Sequence, residues 1–155
     1  MNKPEKIASF TVDHDFLDPG IYISRVDGDV VTYDLRTRKP NMGDYMDNLT
    51  MHSVEHMIAT YIRSSTIGSD VIYFGPMGCQ TGFYLLVRNR AKEEVLSALI
   101  DVLGLCVSHV GEMFGNTAKE CGNYRNLSVE AAKVECKTYL DLLTSREFDF
   151  KYRTE

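Results

Sequence analysis

Apolar and polar residues alternate over residues 21–26 and again over residues 30–36, with Asp27-Gly28-Asp29 between the two runs. A period of two belongs to a strand with one buried face, and Asp-Gly tolerates the positive φ angles that tight hairpin turns need. The chain is therefore expected to form an antiparallel pair early, and that pair's apolar face needs a second layer to cover it. A second pair is expected from residues 71–74 and 81–87, apolar runs separated by Gly75-Pro76-Met77-Gly78 and read as strands joined, or one strand interrupted, at a Gly-rich bend.

Three segments carry a helical period instead. Asp47 or Asn48 offers a cap for a helix running to about Ser64, with Leu49, Val54, Met57, Ile58, Tyr61 and Ile62 as its apolar positions. Asn89 is expected to cap the next, whose stripe is Val95, Leu99, Leu103, Cys106 and Val110. Ser128 caps the last, with Ala132, Cys136, Tyr139 and Leu143 on one face. Residues 39–47 and 115–126 read as loops. Strand pairs mixed with amphipathic helices, without regular βαβ alternation, indicate an α+β fold: an antiparallel sheet with helices packed on one face. At 155 residues with no internal repeat or linker, a single domain spanning 1–155 is expected. A chain of this size buries roughly 68–70% of its unfolded surface and needs no disulfide.

Charge narrows the partners. Seventeen Lys and Arg against 22 Asp and Glu leave a net charge of −5, which argues against nucleic acid or an anionic membrane surface. No run of about 18 apolar residues exists, so no membrane span is expected. Residues 1–10 lack the apolar core of a signal peptide, and four cysteines without a secretory address suggest a reducing, cytoplasmic setting.

The sharpest chemical signal is His52-Ser53-Val54-Glu55-His56, an H-x-x-E-H pattern on the first expected helix. Residues four apart share a helical face, so both imidazoles are able to address one metal ion, while Glu55 at the edge of that face reaches a bound water. Two imidazoles do not complete a site. Candidates for a third ligand are His14, His109 and the four cysteines. Cys106 and Cys136 fall on apolar stripes and suit the core. His109 closes the second helix, where an imidazolium suits the dipole. Cys79 and Cys121 each lie in a Gly-flanked loop, and spacing does not distinguish which of them binds metal. The pattern is also compatible with an inverzincin-type metallopeptidase, or with a closed structural site made of His52, His56, Cys79 and Cys121.

Several blocks, in order, resemble the S-ribosylhomocysteine lyase (LuxS) family. They are Ser9-Phe10-Thr11-Val12-Asp13-His14; Tyr33-Asp34-Leu35-Arg36 followed by Pro40-Asn41; His52 to His56; Pro76-Met77-Gly78-Cys79-Gln80-Thr81-Gly82-Phe83-Tyr84; and Glu120-Cys121-Gly122-Asn123. The resemblance implies a homodimer with active sites at the subunit interface. It implies a metal site of His52, His56 and Cys121 with an open position, holding Fe(II) foremost and replaceable by Zn(II) or Co(II). It implies Cys79 and Glu55 as acid/base groups, and Ser9, His14 and Arg36 as holders of the ribosyl hydroxyls. The implied reaction moves the sugar carbonyl along the chain and then releases homocysteine from S-ribosylhomocysteine by β-elimination, leaving the autoinducer-2 precursor. Tyr73 stands where many members carry an acidic residue for the homocysteine amine, and Asp70 is the candidate substitute. The tail, residues 146–155, has no part in the resemblance.

Overall fold

The computed structural model describes residues 3–154; Met1 and Asn2 of the N-terminal stretch and Glu155 of the tail lie outside the described residues. Four strands, β1 (Gly20–Asp27), β2 (Val30–Arg36), β3 (Val71–Pro76) and β4 (Gly82–Arg88), form one sheet of order β1-β2-β4-β3 with every neighbouring pair antiparallel. The first hairpin turns where the alternation breaks: Asp27 pairs with Val30, and Gly28 takes φ +63°.

Register sorts the strand residues onto two faces. Ile21–Leu35–Phe83, Tyr33–Leu85–Phe74 and Val31–Val87–Val71 are paired rows on one face. These residues join the hydrophobic cluster with the buried side chains of α1 (Asn48–Arg63), α2 (Lys92–Val107) and α3 (Val129–Ser145). The opposite face carries Tyr22, Asp34, Arg36, Tyr84, Leu86 and Tyr73. This is the expected α+β arrangement of a sheet with three helices. Among the described residues, no helix is long and apolar enough to cross a membrane.

The caps follow the sequence at two helices and depart from it at the third. Asp47 accepts the Thr50 N–H at 2.8 Å and opens α1; Ser128 accepts the Ala131 N–H and opens α3. Asn89, the expected cap of α2, does not cap it. Asn89 sits in the left-handed region (φ +52°), its N–H donates to Asp29 O, and the helix begins three residues later. There Ala91 is the capping position, and its N–H is taken by the Glu94 carboxylate. The left-handed turn is needed to bring the end of β4 round into the helix layer, and Asn tolerates it. Val110 also leaves the expected stripe: α2 ends at Val107, and Val110 is 92% exposed. Cys106 and Cys136 are core residues as expected, and the hydrogen bond the Cys136 thiol makes to Cys106, followed by burial, pushes its pKa well up from the ordinary value.

The α1 cap gives a pH-resolved expectation. Thr50's hydroxyl and N–H hold the Asp47 carboxyl below its ordinary pKa, so its contribution is present above the ordinary value and is lost as pH falls through the lowered one. Asp47→Ala should cost about 1 kcal/mol at neutral pH. The gap to wild type, measured by urea unfolding, should narrow below about pH 4. A gap unchanged into acid would show that the carboxylate is not what caps the helix.

Candidate metal centre and its surroundings

α1 carries His52, Glu55 and His56 on the flank it does not bury; Val54, Met57, Ile58 and Ile62 face the core. The helical spacing sets the two imidazoles 4.6 Å apart between ring centroids, nearly perpendicular. Each Nδ1 meets a backbone carbonyl: His52 donates to Asn126 O at 2.8 Å and His56 to Phe114 O at 2.7 Å. A carbonyl only accepts, so the hydrogens sit on Nδ1, and each Nε2 presents the lone pair of the neutral ring. This outer hydrogen bond is how metal-ligating histidines are oriented.

The loop between α2 and α3 supplies both carbonyls and the third donor. Cys121 Sγ lies 3.4 Å from His52 Nε2, and the donor atoms of His52, His56 and Cys121 all fall within 4.8 Å of one another. For N and S bound tetrahedrally to one ion at ordinary lengths the separation is roughly 3.6 Å, so the spacing fits a shared cation. The Asn123 N–H points at the Cys121 sulfur at 3.4 Å. Gly115 lets the loop close over the histidine: its φ is +65°, and a Cβ there would meet the His56 ring at 3.1 Å. The trio could hold a metal ion; Cys79 is not a member of the group, so the four-ligand structural site is not formed.

Glu55 is half-buried and lines two clefts flanking the trio. One, of about 260 Å³, is shared with His52, Pro76, Asn123 and Asn126; the other, of about 290 Å³, with His56, Phe74 and Phe114. Larger concavities of about 370 and 500 Å³ lie against the C-terminal segment at Arg146, Phe148 and Phe150, a different part of the surface.

His109 lies just past the C-terminus of α2 rather than closing the helix, which ends at Val107. It is buried, donates from Nε2 to Glu112 O and holds the Tyr61 hydroxyl at Nδ1, 2.7 Å away. Both rings pack edge-on against Phe114, whose carbonyl orients His56.

Cys79 occupies the β3–β4 turn and is exposed. The left-handed residue of that turn is Gln80 (φ +66°), not Gly78, and it is pinned by Gln80 Nε2 donating to Met46 O and by Met46 N–H donating to Gln80 O. The sulfur lies 3.1 Å from Thr81 Oγ1 and 3.7 Å from Arg36 Nη1. Arg36 is enclosed, donating from Nε and Nη2 to Asp34 and from Nη1 to Thr81. Burial opposes the Arg36 charge, but Asp34 and then Cys79 and Tyr152 more than offset this and hold its pKa up.

Ser9 is half-buried in a single 3₁₀ turn beside Tyr84, which projects from β4 on the same sheet face as Arg36. His14 Nδ1 donates to Val12 O at 2.9 Å, leaving Nε2 unencumbered. Asp70 is already paired with Arg90 at 2.6 Å, so it is not a free anion for an amine, and Tyr73 is half-exposed on the edge strand β3.

Sequence reading missed the carbonyls of Phe114 and Asn126, because backbone acceptors leave no residue signature. It also passed over Asp34, although a carboxylate two residues before Arg36 on one strand lies on the same face. Thr81, Tyr84 and Tyr152 join this cluster through pairings that span from 45 to 118 positions of sequence.

The profile of the family described as S-Ribosylhomocysteinase (LuxS) matches residues 7–148. An S-ribosylhomocysteine lyase of Borrelia garinii is 39% identical over 155 residues, 96% of this chain and 99% of that protein. One of Finegoldia magna is 40% identical over 90% of this chain and 92% of its own length, and one of Desulfotalea psychrophila is 41% identical over 87% and 89%.

Proposed function

The chain belongs to the S-ribosylhomocysteine lyase (LuxS) family and is a carbon–sulfur lyase, and from that premise we propose that it cleaves S-ribosylhomocysteine to homocysteine and 4,5-dihydroxypentane-2,3-dione, the precursor of autoinducer-2. The reaction serves recycling in the methyl cycle and quorum sensing, in the cytoplasm. The observation that carries the reading is the pair of Nδ1–H to carbonyl bonds, which turn both imidazole lone pairs toward the Cys121 sulfur.

His52, His56 and Cys121 would hold one divalent ion per subunit, Fe(II) foremost, with Zn(II) or Co(II) able to replace it. An ion held by these three residues would supply Lewis acidity toward negative charge developing on a substrate carbonyl. The remaining work is proton transfer by this chain's own groups. Cys79 and Glu55 remove and return protons so that the carbonyl moves from C1 to C2 and then to C3. The proton at C4 is then acidic; its removal expels homocysteine thiolate from C5, and the thiolate takes up a proton. No oxidant is consumed. Ser9 and His14 hold ribosyl hydroxyls together with Arg36, which has one Nη2 hydrogen left after its bonds to Asp34, Thr81 and Cys79.

The enzyme works as a homodimer with its active sites at the interface. Ile72 and Tyr73 on the free edge strand, and Ile7 and Phe10 near the N-terminus, are exposed apolar surface that a second copy would cover. Sedimentation equilibrium giving a monomer at micromolar concentration would remove the dimer.

The direct test is incubation of the metal-loaded protein with S-ribosylhomocysteine, with free thiol followed by a thiol reagent. Thiol release dependent on the protein is expected; none from fully loaded protein would overturn the assignment. Glu55→Gln should keep its metal, lower homocysteine release by about 100-fold or more and accumulate a ketone isomer of the substrate. Wild-type rate in that variant would remove Glu55 from proton transfer.

A further inference from the structure

The C-terminal segment is tied into the sheet next to Cys79's surroundings. Ile23 N–H donates to Phe150 O at 2.8 Å, and Phe150 bridges to Tyr22 in parallel along the β1 edge. Residues two apart in an extended chain face the same side, yet Phe150 packs edge-on against Tyr33 in the core and Tyr152 stacks on Tyr22 across the sheet. The left-handed Phe150 (φ +63°) makes this switch, sending Tyr152 to the face that carries Arg36. There the rings of Tyr22 and Tyr152 lie 4.9 Å apart and within 12° of parallel. The Tyr152 hydroxyl donates to Asp34 Oδ2 at 2.7 Å, the same oxygen that receives Arg36 Nη2 at 2.7 Å.

We propose that Tyr152 is a positioning residue for the Cys79 thiol: by holding Asp34 in its two-point pair with Arg36, it fixes the guanidinium against the sulfur. The inference deepens the reading of Cys79 as a proton carrier. Asp34 and the sulfur compete for one cation. A hydroxyl donor on Asp34 takes up part of the carboxylate's charge, so more of the Arg36 field is left for a thiolate. Arg36 is 3% and Asp34 1% exposed, so water screens their pair little, while the Cys79 sulfur meets the guanidinium from the exposed side. The other titratable groups facing the pair are Tyr22, Tyr84 and Tyr139, beside Asp18 and Arg146 at the rim. Burial first, then Asp34 for Tyr84 and Tyr139 and Asp18 followed by Asp34 for Tyr22, pushes these phenols up; burial and Asp34 do the same to Tyr152. They therefore stay neutral hydroxyls through the neutral range.

The test is alkylation of Cys79 by iodoacetamide in the metal-loaded protein between about pH 6 and about pH 9, read by peptide mass spectrometry, since the thiolate is the reactive form. Cys106 and Cys136 are buried and report on unfolding. Tyr152→Phe keeps the stacked ring and removes only the hydroxyl. Its Cys79 rate near pH 7 should fall about threefold to tenfold and its profile should move to higher pH, with metal content and Cys121 labelling unchanged. Arg153→Ala, which removes the tail's ion pair with Asp18, should follow the wild-type profile. A Tyr152→Phe profile coincident with wild type, or an equal shift in Arg153→Ala, would overturn the proposal. Alkylation reads the sulfur's surroundings whether or not homocysteine is released, so failure of the lyase assignment would be seen separately in the thiol-release assay.

Discussion

Cys79→Ala should retain the metal content of the wild type and lose at least about three orders of magnitude of homocysteine release, because a group that transfers protons at successive steps contributes at each of them. The structure separates the two properties. Cys79 lies in the β3–β4 turn with Arg36 and Thr81 as its polar neighbours, and it is outside the His52, His56 and Cys121 group. Removing its sulfur leaves those three donors and their carbonyl partners untouched. The turn itself should persist, since its left-handed residue is Gln80, held through Met46 by two hydrogen bonds. Metal analysis and the thiol-release assay on one preparation check both halves. Turnover at the wild-type rate would remove Cys79 from the mechanism, and loss of metal would make it a ligand.

Cys121→Ala has the converse outcome: metal lost and, with it, activity. Two imidazole donors remain, and the sulfur donor of the group is gone. Removing even an outer hydrogen-bond partner of a metal ligand typically weakens binding about 10–100-fold, and deleting the ligand itself should exceed that, so dialysis against a chelator should strip the variant. Folding should survive, because Cys121 is half-buried in a loop closed by local bonds to Thr117 and is no part of the hydrophobic cluster. Metal stoichiometry and circular dichroism are the measurements; full metal occupancy in Cys121→Ala would refute the ligand assignment.

The same division runs through the fold. Alternation at residues 21–36, the helical periods and the capping residues Asp47 and Ser128 were legible because strand and helix patterns recur over a few neighbours. His52 and His56 were legible for the same reason: four residues on a helix is one turn, so their shared face follows from spacing. Asn89 misled because an Asn suits both a cap and a left-handed turn, and only the path from β4 into α2 decides between them. Asp70 looked like a spare acid until Arg90 was placed beside it.

From its residues alone this chain declares an α+β domain and a family, together with a helix that offers two imidazoles. Tertiary structure decides which sulfur comes beside them: Cys121 arrives from 69 positions away, and both histidine tautomers depend on carbonyls that no side chain announces. It also decides that the tail, silent as sequence, reaches Asp34 through Tyr152 across 118 positions. The physical reason is range. Periodicity and capping are short-range preferences of the backbone, whereas a ligand sphere or a buried ion pair is assembled by packing, which brings together groups whose separation along the chain carries no pattern.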